Sequence, residues 1–196
     1  LGATGEYSFA AGKSATASGL ESTAMGAFTF ATSRASTSMG YWTRASGEMS
    51  TSMGFSTQAS GKYSTAMGDE TIASGWSSTA MGNETTASGK TSTAMGYYTK
   101  AKSFGEMVIG SFNTDYTPNS ATTWNSLDRL FVVGNGSSGS SRSDALVILK
   151  NGNTGIGTSS PNSLLTLSNS NPDNNRITFQ GDDNDQWWDS RDISVV

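Results

Sequence analysis

Ser64-Thr65-Ala66-Met67-Gly68-Asp69-Glu70-Thr71-Ile72-Ala73-Ser74-Gly75 decides the fold, because Ser78-Thr79-Ala80-Met81-Gly82-Asn83-Glu84-Thr85-Thr86-Ala87-Ser88-Gly89 repeats it fourteen residues later. The period runs outward in both directions. Glycine stands at Gly12, Gly26, Gly40, Gly54, Gly68, Gly82, Gly96 and Gly110. A second column, seven residues out of phase, holds Gly5, Gly19, Gly47, Gly61, Gly75 and Gly89, with Ser33 and Ser103 in its two remaining places. A doubled heptad of Gly, Ser, Thr and Ala is no coiled coil, since each glycine inside a helix costs about 1 kcal/mol relative to alanine. The pattern predicts a β-solenoid in which fourteen residues make one coil of two short strands and two turns.

Alternation with period two assigns the faces. Ser64, Ala66 and Gly68 share one face of the first strand, and Thr71, Ala73 and Gly75 share the matching face of the second. These small columns are expected to point into the coil, so that the two sheets approach more closely than the ~10 Å of ordinary sheet packing. So thin a core buries little apolar area against its backbone entropy. The outward face of the first strand offers more, with Met25, Met39, Met53, Met67, Met81 and Met95 in one column that ends at Ile109, flanked by threonines. Burying six methionines contributes on the order of 10 kcal/mol per chain as an upper value, and identical chains can share such a face around an axis. The outward face of the second strand is polar, with Arg44, Gln58 and Lys100.

Composition excludes much else. The 196 residues include no histidine and no cysteine, so imidazole bases, thiol nucleophiles, disulfides and the usual zinc sites are ruled out. No P-loop or nucleophile-elbow motif is present, and no cofactor, metal ion or enzymatic activity is expected. The longest apolar run, Ala145 to Leu149, is far shorter than the ~20 residues of a membrane helix, so no membrane insertion is expected. The net charge of -4 comes wholly from residues 111–196, and neither half has the basic stripe of a nucleic-acid binder. The chain opens at Leu1 and reads as a segment of something longer.

The block Ser-Thr-Ala-Met-Gly-x-x-Thr-x-Ala-Ser-Gly at 64–75 and 78–89 resembles the head repeats of YadA-type trimeric adhesins, with Thr and Met where the family form has Val and Ile. The resemblance covers roughly residues 3–112. It implies a left-handed parallel β-roll and three chains around one axis. The expected fold is all-β: a trimeric left-handed parallel β-roll of 14-residue coils over residues 1–112, then a smaller, interwoven β region over 113–196 that serves as fibre connector or tip. In that second region, strand signals fall at Leu130–Val133, Ala145–Leu149, Leu164–Leu167, Arg176–Phe179 and Ile193–Val196, with a flexible loop over 134–141. Residues 144–161 resemble segments of bacterial surface fibres and phage tail fibres that often end in an endosialidase-type intramolecular chaperone, which this chain does not contain.

Candidate binding residues are aromatic. Trp187 and Trp188, beside Asp183, Asp185 and Arg191, combine stacking surface with carboxylates that accept sugar hydroxyls. The alternative is a lateral patch of Trp42, Trp76 and Tyr98 in the turns of the coils, where packing between protomers competes with ligand binding as the reason for large rings. Asp182-Asp183-Asn184-Asp185 lacks the spacing of a calcium loop and reads as a solvated turn. The expected function is that of a non-enzymatic homotrimeric fibre or adhesin segment, extracellular on a cell surface or virion. It would attach to a glycan or protein on a target surface. The alternatives are a purely structural shaft and a glycan-degrading tail fibre.

Overall fold

The computed structural model describes residues 2–168, so Arg176–Phe179, Ile193–Val196, Asp183, Asp185, Trp187, Trp188 and Arg191 lie outside the described residues. Over residues 2–111, strands of two kinds alternate: β1 (Gly2–Ala3), β2 (Phe9–Ala11), β3 (Thr16–Ala17), β4 (Thr23–Ala27), β5 (Phe30–Ala31), β6 (Thr37–Tyr41), β7 (Arg44–Ala45), β8 (Thr51–Phe55), β9 (Gln58–Ala59), β10 (Thr65–Asp69), β11 (Ile72–Ala73), β12 (Thr79–Asn83), β13 (Thr86–Ala87), β14 (Thr93–Tyr97), β15 (Lys100–Ala101) and β16 (Met107–Ser111). Odd-numbered strands form an eight-stranded sheet and even-numbered strands the first eight rungs of a twelve-stranded one. Both are parallel with a fourteen-residue step, as in Thr65↔Thr79, Ala66↔Ala80 and Met67↔Met81 on one side and Ala73↔Ala87 on the other. Residues 2–111 are therefore an all-β solenoid of 14-residue coils, as the repeat predicts.

The interior is the small-residue column. Ala17, Ala24, Ala31, Ala45, Ala59, Ala66, Ala73, Ala80, Ala87, Ala94 and Ala101 are wholly buried, and so are Thr29, Thr43, Thr57, Thr71, Thr85 and Thr99. Where the facing residue is serine, the threonine hydroxyl has a partner: Ser38 Oγ to Thr43 Oγ1 at 2.8 Å, and Ser52 Oγ to Thr57 Oγ1 at 2.7 Å. Opposite Ala66, Ala80 and Ala94 it has none.

The corners depart from expectation. Every seventh residue from Tyr7 to Tyr98 has a left-handed backbone with φ between 50° and 61°, and none of the fourteen is glycine. Bonds between coils impose this conformation, because the N–H of each such residue from Glu21 onward donates to the carbonyl before the equivalent corner of the preceding coil, as in Trp42 to Ala27, Glu70 to Phe55 and Glu84 to Asp69. The first glycine column stands beside these corners. Gly68 is exposed rather than inward, with φ of 119°, and a Cβ there would lie 2.0 Å from the Gly82 carbonyl oxygen. Backbone approach, not core packing, excludes a side chain at this position.

Beyond the repeats the long sheet continues through β17 (Arg129–Asn135), β18 (Asp144–Leu149), β19 (Thr154–Ile156) and β20 (Leu165–Leu167). β17 pairs in parallel with β16, whereas β18 runs antiparallel to both of its neighbours. The buried line Val108, Val132 and Val147 extends the alanine column with larger side chains. The expected loop over 134–141 begins later than the glycines suggested, since Gly134 and Asn135 complete β17 by pairing with Gly110 and Ser111. β19 has no strand signal of its own, and it forms because the turn at Asn151-Gly152 returns the chain along β18.

The short sheet stops at β15, and residues after β16 close it. The buried Asn113 side chain accepts from Lys100 N–H at 2.8 Å and donates to the Lys100 carbonyl at 3.1 Å, replacing the next strand. At its corner Ser103 takes the place of glycine, and its N–H, with that of Lys102, donates to the Glu106 carboxylate, each at 2.8 Å. Ser33 behaves alike, its N–H accepted by Ser36 Oγ at 3.2 Å.

Candidate assembly and binding surfaces

The outer face of the long sheet carries the methionines. In this chain Met25 and Met95 are 41% and 37% exposed, and Met39, Met53, Met67 and Met81 are half-buried in the same column, with threonines beside them. Such a column leaves apolar surface in water at every rung. Ile109 ends the repeat part of this column, half-buried like most of them.

The two lines of corners differ in chemistry. Along the first, between long and short strands, rings stack across coils: Phe28 on Trp42 at 4.9 Å between centroids, and Tyr41 on Phe55 at 5.6 Å with planes only 3° apart. Trp42 is 54% exposed and Phe55 48%. The next rung replaces the rings with Asp69, aligned with Phe55, and with the adjoining Glu70; Asn83 Nδ2 donates to Asp69 Oδ2 at 2.8 Å. Rings return with Tyr97, Tyr98 and Phe112. The Tyr98 hydroxyl donates to Glu84, and that bond to a carboxylate pushes its pKa up to about 12.

The second line of corners is charged. Lys62 Nζ sits 2.8 Å from the Glu48 carboxylate and 4.9 Å from the centre of the Tyr63 ring, while Lys90 Nζ lies 4.1 Å over Trp76. The hydrogen bond from Lys62 holds the Glu48 carboxyl below its ordinary value. Trp42 and Tyr98 thus belong to the first edge and Trp76 to the opposite one, so these three rings do not meet in one patch. The stacking partners Phe28, Tyr41 and Phe55 complete the first edge instead; their spacing of thirteen or fourteen residues is the signal that finds them.

A third cluster, which no sequence motif announces, closes the C-terminal end of the roll. Glu106 is fully buried in the place that serine occupies in earlier coils, with Oε2 bonded and Oε1 without a partner. Arg129 Nη2 lies 3.5 Å from Asp144, and Lys150 Nζ donates to Ser103 Oγ at 2.9 Å. Burial pushes the Glu106 carboxyl up against the opposing pull of the backbone N–H groups and Arg129, and it pulls the Lys150 ammonium down. A shallow cavity lined by Tyr116, Leu127, Arg129, Leu149 and Pro161 opens beside the cluster.

Set against known families, residues 3–29, 45–71 and 73–99 each match the YadA head domain repeat, in a form that spans two copies. Most of the roll is similar to YadA head repeats. Their in-register parallel stacking here agrees with the fourteen-residue step, and the match supports an adhesin-like, surface-exposed segment. It ends at residue 99, so the fibre resemblance of residues 144–161 rests on sequence pattern alone. No curated protein matches the chain.

Proposed function

We propose that this chain is a non-enzymatic segment of an extracellular fibre that attaches a cell or virion to a target surface, with three copies packed about one axis. Residues 1–112 act as the rigid spacer, and residues 113–196 as its connector or tip. The observation that carries the reading is the column Met25, Met39, Met53, Met67, Met81, Met95 and Ile109, which stands at one rung spacing on the outer face of an in-register sheet whose core is built of Ala, Ser and Thr in every coil before Glu106 and Val108. Covering that column offers the apolar burial that the thin interior lacks. Light scattering at micromolar concentration is expected to give three times 20.4 kDa. A stable monomer overturns the reading.

Attachment needs exposed flat rings beside hydrogen-bonding groups, and a surface glycan is the ligand of that chemistry. The first edge supplies both, with Tyr41, Trp42 and Phe55 next to Asp69 and Glu70. Trp187 and Trp188, with Asp183, Asp185 and Arg191, remain the proposed contact at the tip. A glycan array on Trp42→Ala and on the paired Trp187→Ala, Trp188→Ala chain separates the two, since loss of binding at an unchanged melting temperature identifies the contact. Retention of binding by both variants favours the second reading, a structural shaft with its receptor site elsewhere.

A further inference from the structure

The outer face of the long sheet does not end with the repeats. In pairing register, Met107 and Ile109 are followed by Phe131 and Val133, then by Ile148 and Leu146, then by Thr154 and Ile156, and finally by Leu165 and Leu167. The alternate residues Val108, Val132 and Val147 are wholly buried, so the first set faces outward; Ile156 and Leu165 are 49% and 52% exposed. The apolar column therefore spans all twelve strands of the sheet.

Its two parts differ in information content. From β4 to β14 every rung is the same pair, Thr23 with Met25 through Thr93 with Met95. Two copies that slide by one coil, about 4.8 Å, still set Met on Met and Thr on Thr, so the repeats alone define no unique alignment. From β16 to β20 no two rungs are alike, and apart from Met107 the residues are aromatic or branched, whose shapes tolerate displacement poorly.

We propose that β17–β20 set the register in which copies of this chain assemble, with Phe131, Val133, Leu146 and Ile148 as its principal determinants. The proposal rests on the shared-face reading above. A second copy is the fitting occupant on two grounds. The outward columns hold no charged residue at any rung, and only a partner with the same rung spacing meets them throughout. In area, twelve rungs of about 4.8 Å by a strand width of about 16 Å give roughly 900 Å² per copy, above the ~800 Å² per partner of a stable interface.

The absence of cysteine makes register directly readable. Chains carrying Met53→Cys and chains carrying Met81→Cys are mixed unfolded, refolded together and oxidised, and the disulfide-linked peptides are identified by mass. Met53 and Met81 stand two coils, about 9.6 Å, apart along the sheet, and Cα atoms more than ~7 Å apart cannot bridge, so crossed 53–81 pairs form only after a slip. Same-site pairs alone are expected in the parent background, and crossed pairs are expected to appear once Phe131→Ser and Ile148→Ser are added, at unchanged assembly mass. Crossed pairs in the parent, or their continued absence in an assembled double variant, overturn the proposal. Val133→Ser with Ile156→Ser repeats the test on the other column should the first pair fail to fold. A monomeric parent in light scattering instead removes the shared face itself, a failure distinguishable from loss of register at constant mass.

Discussion

Thr57 and Thr71 occupy the same place in successive coils and differ by one bond. Ser52 Oγ lies 2.7 Å from Thr57 Oγ1, whereas Thr71 Oγ1 is buried without a partner because Ala66 faces it. An unmet buried hydroxyl costs about 1–3 kcal/mol, and a neutral hydrogen bond contributes about 1 kcal/mol net. Ala66→Ser, which copies the neighbouring coil, is therefore expected to raise stability by ~1 kcal/mol per chain, read as a higher melting temperature. Ala66→Leu at the same wholly buried site is expected to lower it by ~1–3 kcal/mol, through overpacking between sheets that have no room to part. If Leu is tolerated there, the interior has been assigned to the wrong face. Gly68→Ala tests a different cause. Its methyl group would meet the Gly82 carbonyl oxygen at 2.0 Å in a backbone with φ of 119°, so neither side-chain rotation nor local relaxation relieves it. A loss of more than ~3 kcal/mol is expected by thermal denaturation.

At the level of elements, the roll needs an end, and the buried Glu106 makes one with opposite pH behaviour from the surface around it. Burial raises the Glu106 carboxyl above its ordinary 4.5, so the folded chain holds that proton more tightly than the unfolded chain does. Its stabilising contribution is complete below pH 4.5 and is lost as pH climbs through the raised value. Asp115 runs the other way. Partial burial works to raise its pKa, but Lys100 and Lys102 outweigh it and hold the carboxyl at about 2, against an ordinary 3.8, so its contribution is present above 3.8 and disappears as pH falls toward 2. On acidification from neutral pH, the melting temperature is thus expected to rise and then fall. Glu106→Gln should remove the rise and keep the fall; a variant that retains both shows that another group titrates. The repeat phase alone puts Glu106 on the inward face, in the column of Ser64 and Ser78, but the rest of this end was illegible in the sequence, because its surroundings arrive from Arg129, Asp144 and Lys150 far along the chain. The coils were legible because both periods, fourteen and two, are written in residue size. The left-handed corners were not, because Tyr7, Glu21, Ala35 and Met49 share no chemistry and their φ is imposed by bonds between coils. The separation of Trp42 from Trp76 onto opposite edges was available from their phase within the repeat, whereas the pairing of Lys90 with Trp76 required coordinates.

For the whole molecule, the methionine face is the point at which a lone chain and an assembly differ most. In a lone chain, Met53, Met67 and Met81 are half-buried on a sheet surface open to water, and lysine at these sites keeps its aliphatic stem on the sheet while its ammonium remains hydrated. Changing all three to Lys is then close to neutral. In an assembly about a shared axis, the same substitutions place unpaired ammonium groups from several copies against one another in a dry interface, where uncompensated burial costs several kcal/mol per charge. The Met53→Lys, Met67→Lys, Met81→Lys chain is therefore expected to fall to 20.4 kDa in light scattering or to lose its β-sheet circular dichroism altogether. Gln58→Lys, exposed on the outer side of the opposite sheet, adds the same charge where no copy is expected and should leave mass and melting temperature unchanged. Equal tolerance of both changes places the methionines in solvent and ends the case for a shared face, while selective disruption by the triple variant assigns the long sheet to the axis and leaves both lines of corners free for contact with a target.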